Sequence, residues 1–378
     1  MNDKIKVLQV NKFYAPWIGG VERIAQDIAE ALTDKTDMKV LVCQPRGGGI
    51  TEVYNGVPVT RVSSFGILYS MPISLDFIWK LRKMSKDADI LQFHSPFPLG
   101  DFAYLLSGYK GKVVIWWHSD IISQQFLAKL IKPINCAFLK RADLIIVATK
   151  NHIESSELLK PFASKCKVIP FGLKFPDFEH VSATNFLTGK LANPGNKKLL
   201  FVGRVVYYKG IDVLINAMNK INGAELFIAG SGALEDTYKT LAKDNGVADK
   251  VHFLGYLPFE MLKAAYKDCD IFVFPSIANI EAFGIAQMEA MFYGKPVVNT
   301  DLPTGVPIVS LHGETGLTVK SGDIDGLAAA VQRLIDDEAL RLQFGANAAR
   351  RVRENFDFDK MTGSLYAEYE RLVRGETG

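Results

Sequence analysis

Leu199-Leu200-Phe201-Val202-Gly203-Arg204 is a short apolar run closed by a glycine and a cation, and Lys209-Gly210, five residues on, opens a helical pattern. A strand-sized apolar run, a turn and then a helix is the repeating unit of a parallel sheet covered by helices. The alternation continues in both directions. Downstream it predicts strands at 225–229, 251–254, 271–274 and 296–299, after the one at 199–202. A helix over 212–220 carries Val213, Leu214, Ala217 and Met218, with Ile221 just beyond, as its buried stripe. Upstream it predicts strands at 6–10, 39–43, 90–93, 113–117, 144–148 and 167–170. A helix over 21–33 follows the first of these, with Ile24, Ile28, Ala31 and Leu32 on one face.

The fold class is therefore α/β. The stretch 172–196 has little periodicity and holds Pro176, Pro194 and Gly195, so it reads as a linker. Two domains are expected, 1–175 and 196–357, and 378 residues is the right length for two. Hydrophobic residues at 48% and charged residues at 22% fit a globular chain and exclude extensive disorder.

A formal net charge of +3 is too small to argue for nucleic acid as a partner. Cys43, Cys136, Cys166 and Cys269 are widely spaced with no Cys-x-x-Cys pair, which points to neither a zinc site nor a disulfide framework and fits a reducing cytoplasm. The first ten residues run straight into a strand without a signal-peptide core. No apolar run approaches the ~20 residues that span a bilayer. The expected location is the cytoplasm, with peripheral contact at the inner face of the membrane as an extension of that reading.

Ligands of open α/β sheets bind at the carboxyl ends of the strands. Arg204 and Lys209 stand at one such end, and an Arg fork with a Lys point charge suits a diphosphate. In isolation, two solvated surface charges is the plainer reading. The segment Glu281-Ala-Phe-Gly-Ile-Ala-Gln-Met-Glu289 says more. A helix starting near Phe283 would aim the amides of Phe283, Gly284 and Ile285 at an anion. Glu289 lies further along a helix that is apolar nearly all round, where a carboxylate needs a partner, and ribose hydroxyls are a suitable one.

In the first half, Gly19 and Gly20 join a strand to a helix and would let that loop pass close to a ligand; a plain tight turn explains them equally well. His118 and His94 close two strands, a position where a histidine is more often a structural hydrogen-bonder than a catalyst. Gly230-Ser-Gly232 invites a dinucleotide reading, but Glu235 occupies the third glycine position.

As an ordered set, the Gly19-Gly20 loop, His118, Phe-Val-Gly-Arg204 with Lys209-Gly210, and two glutamates eight positions apart resemble glycosyltransferase family 4. The resemblance covers nearly the whole chain. It implies the GT-B fold, two Rossmann-like doubly wound parallel-sheet domains facing an interdomain cleft, with a C-terminal helix at 358–375 crossing back to the first domain. It also implies a retaining transfer without metal or cofactor, and there is no Asp-x-Asp signature at a plausible site. Arg204 and Lys209 would hold the donor diphosphate with the amides near Gly284. Glu289 would bind ribose, Glu281 and His118 would meet the donor sugar, Gly19-Gly20 would close over it, and the base would rest near Gly255 and Tyr256.

Within that family, Tyr207-Tyr208-Lys209-Gly210, Trp116-Trp117-His118-Ser119-Asp120 and Thr304-Gly305-Val306-Pro307 resemble bacterial O-antigen or capsule enzymes. That narrower resemblance implies a nucleotide-diphosphate sugar donor such as GDP-mannose, with a UDP-sugar as the alternative, and a glycan or lipid-linked glycan acceptor. Segments 65–86 and 126–141 mix bases with large apolar residues, which fits docking on anionic lipid and fits ordinary amphipathic core helices equally. The rival functions are a nucleotide-sugar epimerase or a phosphorylase on the same fold, an NAD-dependent oxidoreductase, and a sugar-nucleotide binder without turnover.

Overall fold

The computed structural model describes residues 4–17, 19–68, 71–120 and 125–376, for 125–130 as backbone only. The chain divides into two compact units, Met1–Ile169 with Lys360–Gly378, and Pro170–Asp359.

Unit 1 is built on β1 (Ile5–Val10), β2 (Thr36–Cys43), β3 (Ile50–Tyr54) and β4 (Val57–Val62). A small hairpin follows, β5 (Ile67–Leu68) with β6 (Met71–Pro72), and then β7 (Ile90–Ser95), β8 (Lys112–Trp117), β9 (Leu144–Val147) and β10 (Cys166–Val168). The eight-stranded sheet runs β10-β9-β8-β7-β1-β2-β4-β3 and is parallel except where β3 turns back on β4. Every residue of β7 is buried, as expected of a central parallel strand with both faces covered.

Unit 2 carries β11 (Lys197–Val202), β12 (Ala224–Ala229), β13 (Val251–Gly255), β14 (Ile271–Phe274), β15 (Val297–Thr300) and β16 (Gly316–Val319). All are parallel, in the order β13-β12-β11-β14-β15-β16. Both sheets wind outward from a central pair. The order reverses between β1 and β7 in unit 1 and between β11 and β14 in unit 2, and such a reversal leaves a crevice beyond the strand ends.

Several elements differ from the sequence reading, the small β5–β6 hairpin among them. The β3–β4 hairpin went unpredicted although Asn55-Gly56 is its turn, with φ of 47° and 82°. β16 also went unpredicted. The stretch 172–196 belongs to unit 2 and packs on it. Phe178 is buried edge-on against Phe259 at 5.3 Å, a burial that contributes roughly 1.5–3 kcal/mol. The amides of Ala192 and Asn193 and the side chain of Asn196 all donate to the buried Glu225 carboxylate. Burial pushes that carboxyl up, and its hydrogen bonds, including one with His252 Nε2 at 2.6 Å, more than offset this and hold it below the usual range.

Lys360–Gly378 falls in unit 1, where Tyr369 donates to Gln92 on β7 and Glu368 pairs with Lys167. Among the described residues no helix is long and apolar enough to cross a membrane. The segment 126–141 lies partly outside the described side chains; within the rest of it, Phe138 and Leu139 are buried. In 65–86, where Tyr69 and Ser70 lie outside the described residues, Phe65, Leu68, Leu75 and Trp79 are exposed.

Candidate active site

The carboxyl ends of β11 and β14 meet at the reversal point of unit 2. Past β11 the chain runs through Arg204 and a single 3-10 turn, Tyr207–Lys209, to Gly210. Gly210 adopts φ 66°, and a Cβ there would lie 2.0 Å from the carbonyl oxygen of Pro275, so only glycine lets the turn dock on the end of β14. The amide of Ile277 donates to the Tyr208 carbonyl at 2.8 Å and completes the seam. Lys209 is thereby brought to Glu281, with which it forms an ion pair. Its ammonium also sits 4.9 Å from the centre of the Phe274 ring. Ser276 donates to the same glutamate oxygen at 3.3 Å. Arg204 is exposed and donates from Nη2 to the Tyr208 hydroxyl at 2.9 Å.

The helix after Glu281 begins at Ile285, two residues later than expected. Gly284 at φ 83° is its N-cap, and this left-handed residue interrupts helical geometry between Phe283 and Ile285. Phe283 therefore lies before the first turn rather than in it. It is buried, with its ring edge-on to Phe171 and Phe356. The amides that have no partner within the helix start at Ile285. A Cβ on Gly284 would come 2.8 Å from the Phe274 ring, so glycine is also required for the close approach.

Glu289, half-buried on this helix, accepts from the Tyr266 hydroxyl at 2.6 Å. Burial first and then Glu289 push the Tyr266 phenol well above its usual range, which keeps it a donor. Gly255 ends β13, and its carbonyl accepts from the Gly230 amide at 2.8 Å. Tyr256, next in the chain, is exposed. Lys209 and Glu281 are thus in direct contact, with Arg204 joined to the same turn through Tyr208.

In unit 1, Gly19 is the extended N-cap of the helix Gly20–Leu32. Glu22 folds back so closely that a Cβ on Gly19 would lie 2.1 Å from its carboxylate oxygen. His118 follows β8, its amide donating to the Ser95 carbonyl at 2.9 Å. Its ring is buried, and its Nε2 lies 2.9 Å from His94 Nδ1. Burial holds the His94 imidazole down to about 3 and, with His94 and His152 beside it, holds His118 well below the usual range. Both rings are neutral at ordinary pH.

Residues 185–351 match the family model for glycosyl transferases group 1, and residues 18–174 match that for glycosyltransferase family 4. The chain is 31% identical to a D-rhamnosyltransferase, WbpZ, of Pseudomonas aeruginosa, over 93% of this chain and 92% of that one. The chain belongs to glycosyltransferase family 4. This glycosyltransferase is also 29% identical to the O-antigen chain mannosyltransferase C of Escherichia coli, over 99% of its own length and all of the relative's. A sucrose-phosphate synthase structure from Thermosynechococcus elongatus superposes on it with a TM-score of 0.80 at 21% identity, covering 98% of this chain and 100% of the other, a likeness of fold. The fold of the glycosyltransferase is GT-B.

Sequence reasoning about this glycosyltransferase quoted Tyr208 in a motif without giving it a contact, and passed over Ser276 and Tyr266. Tyr208 had a signal, since it adjoins Lys209, and its hydroxyl meets Arg204 four residues back. Ser276 and Tyr266 had none, because their contacts with Glu281 and Glu289 cross from one chain segment to another.

Proposed function

We propose that this glycosyltransferase moves a hexose from a nucleotide-diphosphate sugar, GDP-mannose or a related GDP-sugar, to a lipid-linked oligosaccharide in bacterial surface polysaccharide synthesis, with retention at the anomeric carbon. The observation that carries the reading is the Lys209–Glu281 pair, with Arg204 beside it, at the reversal point of unit 2. The leaving group is a nucleoside diphosphate. Arg204, Lys209 and the first amides of the helix Ile285–Phe292 supply fixed positive charge for the negative charge that develops as the glycosidic bond breaks. Glu289 receives the ribose hydroxyls beside the Tyr266 hydroxyl, and Glu281 meets the donor sugar. The base rests near Gly255 and Tyr256.

The acceptor hydroxyl attacks the face from which the diphosphate departs, and its proton passes to the departing phosphate oxygen. Unit 1 takes the acceptor, with His118 and the Gly19-Gly20 turn assigned to the donor sugar. The name of the Escherichia coli relative supports a role in O-antigen synthesis. Exposed Leu75 and Trp79, one helical turn apart, with exposed Arg82, Lys83 and Lys86 further along the chain, support seating of unit 1 on anionic lipid.

A thermal-shift screen with UDP, GDP and ADP tests the donor, because a ligand that binds only the native state raises the melting temperature. GDP is expected to give the largest shift. A larger shift with UDP would move the reading to a UDP-sugar, and no shift with any of the three would remove it. Sedimentation with phosphatidylglycerol vesicles tests the membrane seat, and a chain that stays in the supernatant contradicts it.

A further inference from the structure

Inside unit 1 a run of buried polar side chains connects the Ala25 carbonyl to the His118 ring. Gln9 and Gln92 are fully buried, and His94 and His118 are 1% and 5% exposed. The fixed end sets the direction of every hydrogen bond along it. A backbone carbonyl only accepts, so Gln9 faces Ala25 with its Nε2, at 2.7 Å, and turns its Oε1 toward Gln92. That oxygen also only accepts, so Gln92 must bring its Nε2 there, at 3.4 Å. The Gln92 oxygen then faces the Tyr369 hydroxyl, which donates to it from the C-terminal helix.

The same Gln92 Nε2 lies 3.2 Å from His94 Nε2 and donates its second hydrogen to it. A ring nitrogen that accepts carries no proton, so the neutral His94 ring is protonated at Nδ1. His94 Nδ1–H donates in turn to His118 Nε2, at 2.9 Å. By the same rule, His118 is protonated at Nδ1. The Trp116 ring lies nearly parallel to both imidazoles, at 8° to His94 and 14° to His118.

We propose that the relay Gln9–Gln92–His94, locked by Tyr369, presets His118 as the Nδ1–H tautomer and makes His94 a positioning residue for it. His118 then offers an N–H to a hydroxyl or carbonyl oxygen and takes no proton during turnover. That consequence rests on the sugar-transfer reading above; the tautomer does not.

The test is long-range proton–nitrogen NMR of the full chain at pH 7, labelled with 15N only in its six histidines and free of ligand. His94→Phe and His118→Phe assign the two resonance pairs. The expected result is a protonated Nδ1 and a bare Nε2 on both rings. A proton on His118 Nε2, or averaging between tautomers, would overturn the proposal.

Activity supplies the second reading. His94→Leu is expected to lower kcat about tenfold, the scale of one hydrogen bond, with nucleoside diphosphate affinity unchanged. His94→Asn, whose amide nitrogen takes the place of Nδ1 and can still donate to His118 Nε2, recovers most of the loss. In a His118→Ala background His94→Leu costs nothing further. An equal loss in that background would make His94 a packing residue and end the positioning role. If no donor supports transfer, the sugar-transfer reading fails on its own, and the NMR result still decides the tautomer.

Discussion

Lys209 and Glu281 form an ion pair in which the two side chains keep only 11% and 12% of their exposure, although 72 residues separate them. Two charges this deep are stable together and costly apart. Removing one partner of a buried pair leaves an uncompensated charge, at a cost of about 3–5 kcal/mol. Lys209→Met and Glu281→Ala are therefore each expected to lose that much stability in urea unfolding. The double variant Lys209→Met/Glu281→Gln is expected to regain most of it. Additive losses in the double variant would show that the two groups do not interact in solution.

Glu289 has a phenol for a neighbour, and that contact separates two roles. Tyr266→Phe removes one hydrogen bond and should cost about 1 kcal/mol of stability, with little effect on ligands. Glu289→Ala should weaken binding of free GDP about tenfold or more in calorimetry, as expected when a charged hydrogen bond is lost. Unchanged GDP affinity in Glu289→Ala would take ribose recognition away from this residue.

The buried histidines give acid sensitivity of definite sign. His94 is held down to about 3 by burial, so the unfolded chain binds its proton more readily than the folded one. Its contribution is full above the ordinary histidine value near 6.5 and is lost as the pH falls from there toward 3. Unfolding free energy should drop over this window, and His94→Phe should drop less steeply. Parallel curves for the two proteins would mean that His94 titrates normally.

Asp101 acts in the opposite direction. Both of its carboxylate oxygens are buried with no hydrogen-bond partner among the described residues, and burial pushes its carboxyl well above the usual range. The folded chain keeps this proton where the unfolded chain has released it, so the residue's contribution is lost as pH rises above the unfolded carboxylate value. Asp101→Asn should raise the melting temperature more at pH 8 than at pH 4. An equal gain at both would show that ionisation of Asp101 has no part in stability.

The parallel strands were legible because each is a short apolar run between turn residues, and β14 matches its predicted span end for end. Short polar strands were not: β3 reads Ile-Thr-Glu-Val-Tyr, exposed or half-buried at every position, and only the Asn55-Gly56 turn marks it. The stretch 172–196 looked like a linker because its ordering comes from Glu225, a partner some thirty residues downstream. The charges of the candidate site were visible as residues at strand ends. Their partners were not, since Lys209 meets Glu281 and His94 meets His118 only after separate strands align.

The central claim is that Lys209, held in place by Glu281, holds the diphosphate of the donor together with its surroundings. Calorimetric titration of GDP and UDP into the wild-type chain and into the refolded-stable Lys209→Met/Glu281→Gln variant tests it most directly. The account predicts saturable binding to the wild type and a loss of about tenfold or more in the variant, the scale of the one charged hydrogen bond that Lys209 gives the diphosphate. Equal affinity in the two proteins would contradict it.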